Sequence, residues 1–189
     1  MPLRINTVII PGLFAATFLF CHCGTNTGPA SSGKPQATID TLFTDGFEDG
    51  MNLWMRDYTW VLSGEAVSGD YSMKAWDNTS IAGSAEISVD FDITDYDTAT
   101  LSFWSKTNYL YMNPGTAEAS ILVEINDGVT ETVWAQLFQL NQPWMKISVS
   151  LDEYCGIAAK LEIAFLYYKT QPGIIEWWLD DVMLVAEIE

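Results

Sequence analysis

Ala85-Glu86-Ile87-Ser88-Val89-Asp90-Phe91-Asp92-Ile93 is the stretch that decides the fold. Ile87, Val89, Phe91 and Ile93 fall on one side of an extended chain and the polar residues on the other, the period of two expected of a half-buried antiparallel strand. The same device recurs in Leu101 and Phe103, in Ile121, Val123 and Ile125, in Ile147 and Val149, and in Leu161, Ile163 and Phe165. No long 3.6-residue periodicity competes with it. The runs predicted as strands are Thr38–Phe43, Tyr58–Ser63, Ser72–Trp76, Ser84–Asp92, Ala99–Lys106, Ala119–Asn126, Thr130–Gln139, Met145–Ser150, Lys160–Tyr168 and Glu176–Val185. Asn126-Asp127-Gly128 tolerates the positive φ of a tight turn, so the strands on either side of it are predicted to form a hairpin. About ten short strands with turns at these intervals predict an all-β chain folded as a two-sheet antiparallel sandwich.

Ahead of this domain, residues 38–189, the sequence has two other characters. Residues 1–23 read as a targeting segment: Arg4 supplies one positive charge and Val8 to Phe20 an apolar run too short to span a bilayer comfortably. Cys21 and Cys23 stand where that run stops, the place of a lipid-bearing cysteine in a bacterial lipoprotein signal, although neither has the usual small residue directly before it on the pattern's terms. Lipidation is the favoured reading, ahead of cleaved secretion and of retention as an anchor; the first two place the domain outside the cytoplasm. Residues 24–37, rich in Gly, Ser, Thr, Asn and Pro, have the composition of a flexible tether.

Charge removes several classes of function. Eight Lys and Arg stand against 25 Asp and Glu, a formal net charge of -17. Such a field repels phosphate backbones, so nucleic acid is not an expected partner, and contact with a membrane is expected only through a lipid anchor. The single histidine, His22, lies in the targeting segment, which leaves the domain without a Ser-His-Asp or Cys-His arrangement and without common zinc ligands. Carboxylates are plentiful, but no spacing selects a glycosidase pair. Cys155, the only cysteine of the domain, reads as a packing residue. The chain is accordingly expected not to be an enzyme.

Two acidic signatures bracket the strands: Gly46-Phe47-Glu48-Asp49-Gly50 and Trp177-Trp178-Leu179-Asp180-Asp181-Val182. Their placement predicts that the first and last strands lie side by side, where the carboxylates could share a cation or bond to backbone amides. If Val182 and Leu184 face the core, alternation puts Asp180 inward with them, and an inward carboxylate needs a partner. Asp180 is therefore the first choice and Asp181 the second.

Asp45-Gly46-Phe47-Glu48-Asp49-Gly50, Trp54, Trp60, Ser68-Gly69-Asp70-Tyr71-Ser72-Met73-Lys74-Ala75, Thr100-Leu101-Ser102-Phe103-Trp104, Trp144-Met145-Lys146-Ile147 and Trp178-Leu179-Asp180-Asp181-Val182 occur in that order. The series resembles the extracellular jelly-roll superfamily of MAM-like domains, bacterial adhesin-type domains and carbohydrate-binding modules. That resemblance implies a jelly-roll sandwich and a structural calcium ion (Ca2+) held by Glu48 with Asp180 or Asp181. Nearby carbonyls, around Ser68 to Ser72, would complete its six to eight oxygens. It also implies packing positions for Trp60, Trp104, Trp144 and Trp178.

The expected role is a membrane-tethered binding or adhesion module, with carbohydrate the first ligand class. The alternative is a structural or protein-interaction domain of MAM or adhesin type without a small-molecule site. Sugars are held by flat aromatic rings and by polar groups for their hydroxyls. Tyr109, Tyr111 and Trp134 are the candidate rings for a glycan.

Overall fold

Strands that are apolar on one side only must bury those sides against one another, and the period-two runs do so by pairing into two antiparallel sheets. The computed structural model describes residues 37–56, 60–77, 83–109, 117–126, 128–138, 141–169 and 175–189. Its strands are β1 (Thr38–Asp45), β2 (Met55–Arg56), β3 (Trp60–Ser63), β4 (Ser72–Asp77), β5 (Gly83–Phe91), β6 (Thr98–Tyr109), β7 (Ala117–Ile125), β8 (Val129–Phe138), β9 (Gln142–Ser150), β10 (Leu161–Lys169) and β11 (Ile175–Ile188). The first sheet runs β3-β4-β11-β6-β9, with β1 also on β11, and the second runs β2-β5-β10-β7-β8. The chain is thus an all-β, two-sheet jelly-roll sandwich. Each run expected from the sequence is a strand, and the two-residue β2, too short to carry a period, is the addition.

The first and last strands are neighbours, as their acidic flanks suggested: β1 pairs antiparallel with β11 from Thr38 opposite Ile188 to Asp45 opposite Val182. One flank of β11 is shared in sequence order, first by β4 and then by β1, while β6 lines the other. The predicted hairpin joins β7 to β8. Asn126 adopts φ 50°, and the Gly128 amide closes the turn on the Ile125 carbonyl at 3.0 Å.

The core lies between the sheets and is largely aromatic. Phe165 on β10 meets Phe103 on β6 edge-on at 5.2 Å, and Trp177 on β11 packs against Trp60 at 5.6 Å. All four are buried. Burying a ring of this size contributes roughly 1.5–3 kcal/mol, and each aromatic pair about 0.5–1.5 kcal/mol more.

Alternation holds along β11 until a bulge breaks it. Trp177 and Leu179 face the core, and so do Val182, Leu184 and Ala186, so the phase has slipped by one residue. Asp180 lies opposite Trp104 and Met183 opposite Ser102, three steps on β11 against two on β6. Asp181, at φ 46°, takes up the extra residue; a left-handed backbone is one that Asp tolerates better than most side chains. The inward orientation expected for Asp180 is therefore corrected. The bulge puts it on the outer side of its sheet, in phase with Trp178, and there it is fully buried nonetheless.

Candidate functional site

What buries Asp180 is the chain that enters β4. The partner of β11 changes from β4, which ends its pairing at Leu179, to β1, which begins at Val182. Residues 64–71 lie over that interruption. Oδ2 of Asp180 accepts the amides of Val67 at 2.7 Å and Ser68 at 3.3 Å, and Oδ1 accepts the amide of Asp181 at 2.8 Å. Ser68 donates its hydroxyl to Asp181 Oδ1 at 2.8 Å. From the other side, Glu48 takes the amide of Asp70 on both oxygens, at 3.0 and 3.1 Å, and that of Tyr71 at 3.0 Å.

Glu48 is aimed by the turn before it. Asp45 accepts the Phe47 amide at 2.7 Å and the Trp54 indole N–H at 2.8 Å, which holds Phe47 at φ 63° with its ring in the core. Gly69 completes the fit. Its φ is +63°, and a Cβ on it would stand 2.2 Å from Glu48 Oε1. No other residue allows the backbone so close to the carboxylate.

These contacts decide how the acids can act. Burial pushes the Asp180 carboxyl above the ordinary aspartate range, the amides of Val67, Ser68 and Asp181 pull it back, and the charge of Asp181 adds to the rise. A calcium ion would need six to eight oxygens around it. The groups bonded to Glu48, Asp180 and Asp181 are N–H and O–H donors, which turn their positive ends to the very oxygens a cation would take. Among the described residues no three Asp, Glu, His or Cys side chains converge. Of the two readings left open by the sequence, the bonds to Glu48 and Asp180 are those of carboxylates to backbone amides.

Trp134 is not a free platform. It is partly buried against the core, stacked on Trp177 at 6.5 Å and edge-on to Phe103 at 5.8 Å, because it lies opposite Ile121 on the inner face of its sheet. Tyr109 closes β6 opposite Ile175, and its side chain lies outside the described residues, as do Tyr111, Cys21 and Cys23. Trp60 is a core ring, whereas Trp104 and Trp144 are half-buried. Trp178 is buried on the outer side of the first sheet, beneath the ammonium groups of Lys74 and Lys106 at 5.4 and 5.3 Å. Lys74 pairs with Glu176 at 2.9 Å and Lys106 with Glu65, which closes that ring to ligands.

The outer face of the second sheet is different. Its floor is small: Ser88 on β5, Ala164 on β10 and Ser120 on β7 are only 3%, 6% and 6% exposed, and all three lie outside the core cluster. Ala164 is opposite both Ser88 and Leu122, and Leu166 is opposite Ser120, so larger side chains stand around the floor. Tyr168, two residues beyond Leu166 on the same face of β10, presents a ring that is 48% exposed. The face runs about 20 Å along β10 from Glu162 to Tyr168. Sequence reading passed over it because its residues are the polar phase of strands chosen for their apolar phase. The signal was present in Glu162, Ala164, Leu166 and Tyr168, every second residue of one strand.

The sequence matches no protein-family model and no curated protein. Solved structures are similar in fold. The family 61 carbohydrate-binding module TmCBM61, in complex with β-1,4-galactotriose, superposes with a TM-score of 0.53 at 15% identity, over 74% of this chain and 92% of its own. The CBM22-1 xylan-binding domain of Paenibacillus barcinonensis Xyn10C gives 0.53 at 18% identity, over 78% and 94%. The K3 adhesin domain of Lys-gingipain from Porphyromonas gingivalis gives 0.50 at 11% identity, over 77% and 99%. At these identities the likeness is one of fold.

Proposed function

We propose that the chain is a non-enzymatic carbohydrate-binding module, displayed outside the cytoplasm on a membrane tether, whose ligand surface is the outer face of the second sheet. The observation that carries this reading is the floor of Ser88, Ala164 and Ser120 beside the exposed ring of Tyr168. Small residues let a flat ligand approach the sheet, and a ring stacks on the apolar side of a sugar. Two solved domains of similar fold bind β-1,4-galactotriose and xylan, which makes extended polysaccharides the first ligands to try.

The test is affinity electrophoresis in gels containing soluble xylan or galactan, with the wild type, Tyr168→Ala and a Tyr109→Ala/Tyr111→Ala double variant. Retardation lost in Tyr168→Ala supports the sheet face, and loss only in the double variant moves the site to the β6–β7 connection. Absence of retardation by any polysaccharide, with capture of a surface protein instead, would return the adhesin-type alternative. The tether is tested separately by metabolic labelling with palmitate, expected to disappear in Cys21→Ser or in Cys23→Ser.

A further inference from the structure

Ser102 on β6 is 5% exposed, and its hydroxyl has no hydrogen-bond partner among the described residues. Leu101 and Phe103 on either side of it face the core, so alternation sends Ser102 to the outer face of the first sheet. A buried hydroxyl without a partner costs free energy, and a ligand that supplies one is favoured. The neighbours of Ser102 on that face form a four-cornered patch. Ser102 lies opposite Ser148 on β9, and Trp104, two residues on, lies opposite Lys146. Neighbouring strands stand about 4.8 Å apart and two residues of a strand span about 7 Å, so the patch has the footprint of a single sugar ring. Its corners are two hydroxyls, a half-buried indole and an exposed ammonium.

Lys146 differs from the other lysines whose side chains are described. Lys74, Lys106 and Lys160 each reach a carboxylate, whereas Lys146 pairs with none among the described residues. In a chain with 25 Asp and Glu, this ammonium stands clear of them. Met183, opposite Ser102 on β11, and Thr100, two residues before it, border the patch without charge. Asp180, across Trp104 on β11, is buried and already accepts three amides. Resting on the carbohydrate reading above and extending it to a second face, we infer that this patch takes a uronic acid residue borne on an otherwise neutral glycan. The apolar side of the ring lies on Trp104, its hydroxyls meet Ser102 and Ser148, and its carboxylate meets Lys146. Rotation of Ser102 about one bond, between staggered positions, brings its hydroxyl to the ligand. The ammonium gives the carboxylate a charge-assisted hydrogen bond that a neutral sugar forgoes. A densely charged polyuronate is repelled by the net charge of -17, which favours chains whose acids are sparse.

Calorimetric titration of the full chain at low salt, with a xylo-oligosaccharide bearing glucuronic acid and the same compound reduced at its carboxyl to the alcohol, tests this. The acidic compound is expected to bind about tenfold more tightly. In Lys146→Gln that preference should collapse towards unity, while Lys160→Gln, an equal change of charge beside the second sheet, should preserve it. Ser102→Ala removes a hydroxyl without a described partner, so it should not lower the unfolding temperature, yet it should weaken binding of the acidic compound about fivefold. A preference that survives Lys146→Gln, or falls equally in Lys160→Gln, overturns the inference, as does a Ser102→Ala variant that binds like the wild type. A preference lost in Tyr168→Ala instead puts the carboxylate on the second sheet and overturns it too. Equal binding of both compounds overturns the inference and leaves the carbohydrate reading intact. No binding of either overturns the inference, and the carbohydrate reading is then decided by retardation in neutral xylan and galactan.

Discussion

Oδ2 of Asp180 accepts the backbone amide of Val67 at 2.7 Å across 113 residues of chain, and so ties the bulge of β11 to the loop that leads into β4. The bond closes the one place where β11 exchanges its partner. Glu48 does the same from the β1 side through Asp70 and Tyr71, so the two acids fasten a single loop between them. Neither carboxylate faces the ligand surface proposed on the second sheet.

Asp180→Asn should lower stability by about 1–3 kcal/mol in urea unfolding, because one amide oxygen replaces two carboxylate oxygens and at least one buried N–H is left without an acceptor. The pH dependence carries a sign. The folded-state carboxyl is raised above its unfolded value, so the folded state holds that proton more tightly and stability falls as pH rises through the window just above the ordinary aspartate range. Unfolding temperatures measured across that window should show a downward component in the wild type that is missing in Asp180→Asn.

The unfolding temperature should be the same with chelator and with added calcium, since the seam is satisfied by N–H and O–H donors. A rise with calcium that Glu48→Gln abolishes would show that an ion displaces them. Gly69→Ala tests the same seam from the loop: its Cβ would meet the Glu48 carboxylate at 2.2 Å in a left-handed backbone, and a loss of about 1–3 kcal/mol is expected.

Trp134→Ala should cost about 2–4 kcal/mol, since the ring packs on Trp177 and Phe103. Glycan retardation by the folded fraction of this variant should be retained. Loss of retardation without loss of stability would make Trp134 a ligand residue after all.

Glu162→Gln should raise stability by about 0.2–1 kcal/mol at low ionic strength, because it removes the middle of three carboxylates, Asp90, Glu162 and Glu124, placed directly opposite one another. The gain should shrink as salt is added. Thermal unfolding at two salt concentrations reads both effects.

Most of the strands were legible because alternation is a local property: Leu101 and Phe103, or Ile163 and Phe165, announce a buried face within a few residues. The neighbourhood of the first and last strands was legible from their acidic flanks. The facing of Asp180 was not. Counting back by twos from Val182 assumes an unbroken strand, and the bulge at Asp181 inserts one residue that no sequence period records. Trp134 misled for a related reason. Trp134 shares one face of its strand with Gln136, a mixed pair that does not say whether that face is inward, and only the pairing with Ile121 shows that it meets the core.

The sequence by itself determined that this chain is an all-β sandwich, that it is strongly acidic, and that its domain lacks the histidine chemistry of common hydrolases. Those properties follow from residue type and short-range period, which need no knowledge of distant partners. Tertiary structure alone decided what the acids do. Glu48 and Asp180 became a fastening because a loop far along the chain brings its amides to them, and Asp90, Glu162 and Glu124 became a row because three strands distant in sequence align in register. Hydrogen bonds and charge repulsion act over a few ångströms, and only the fold says which residues lie that close.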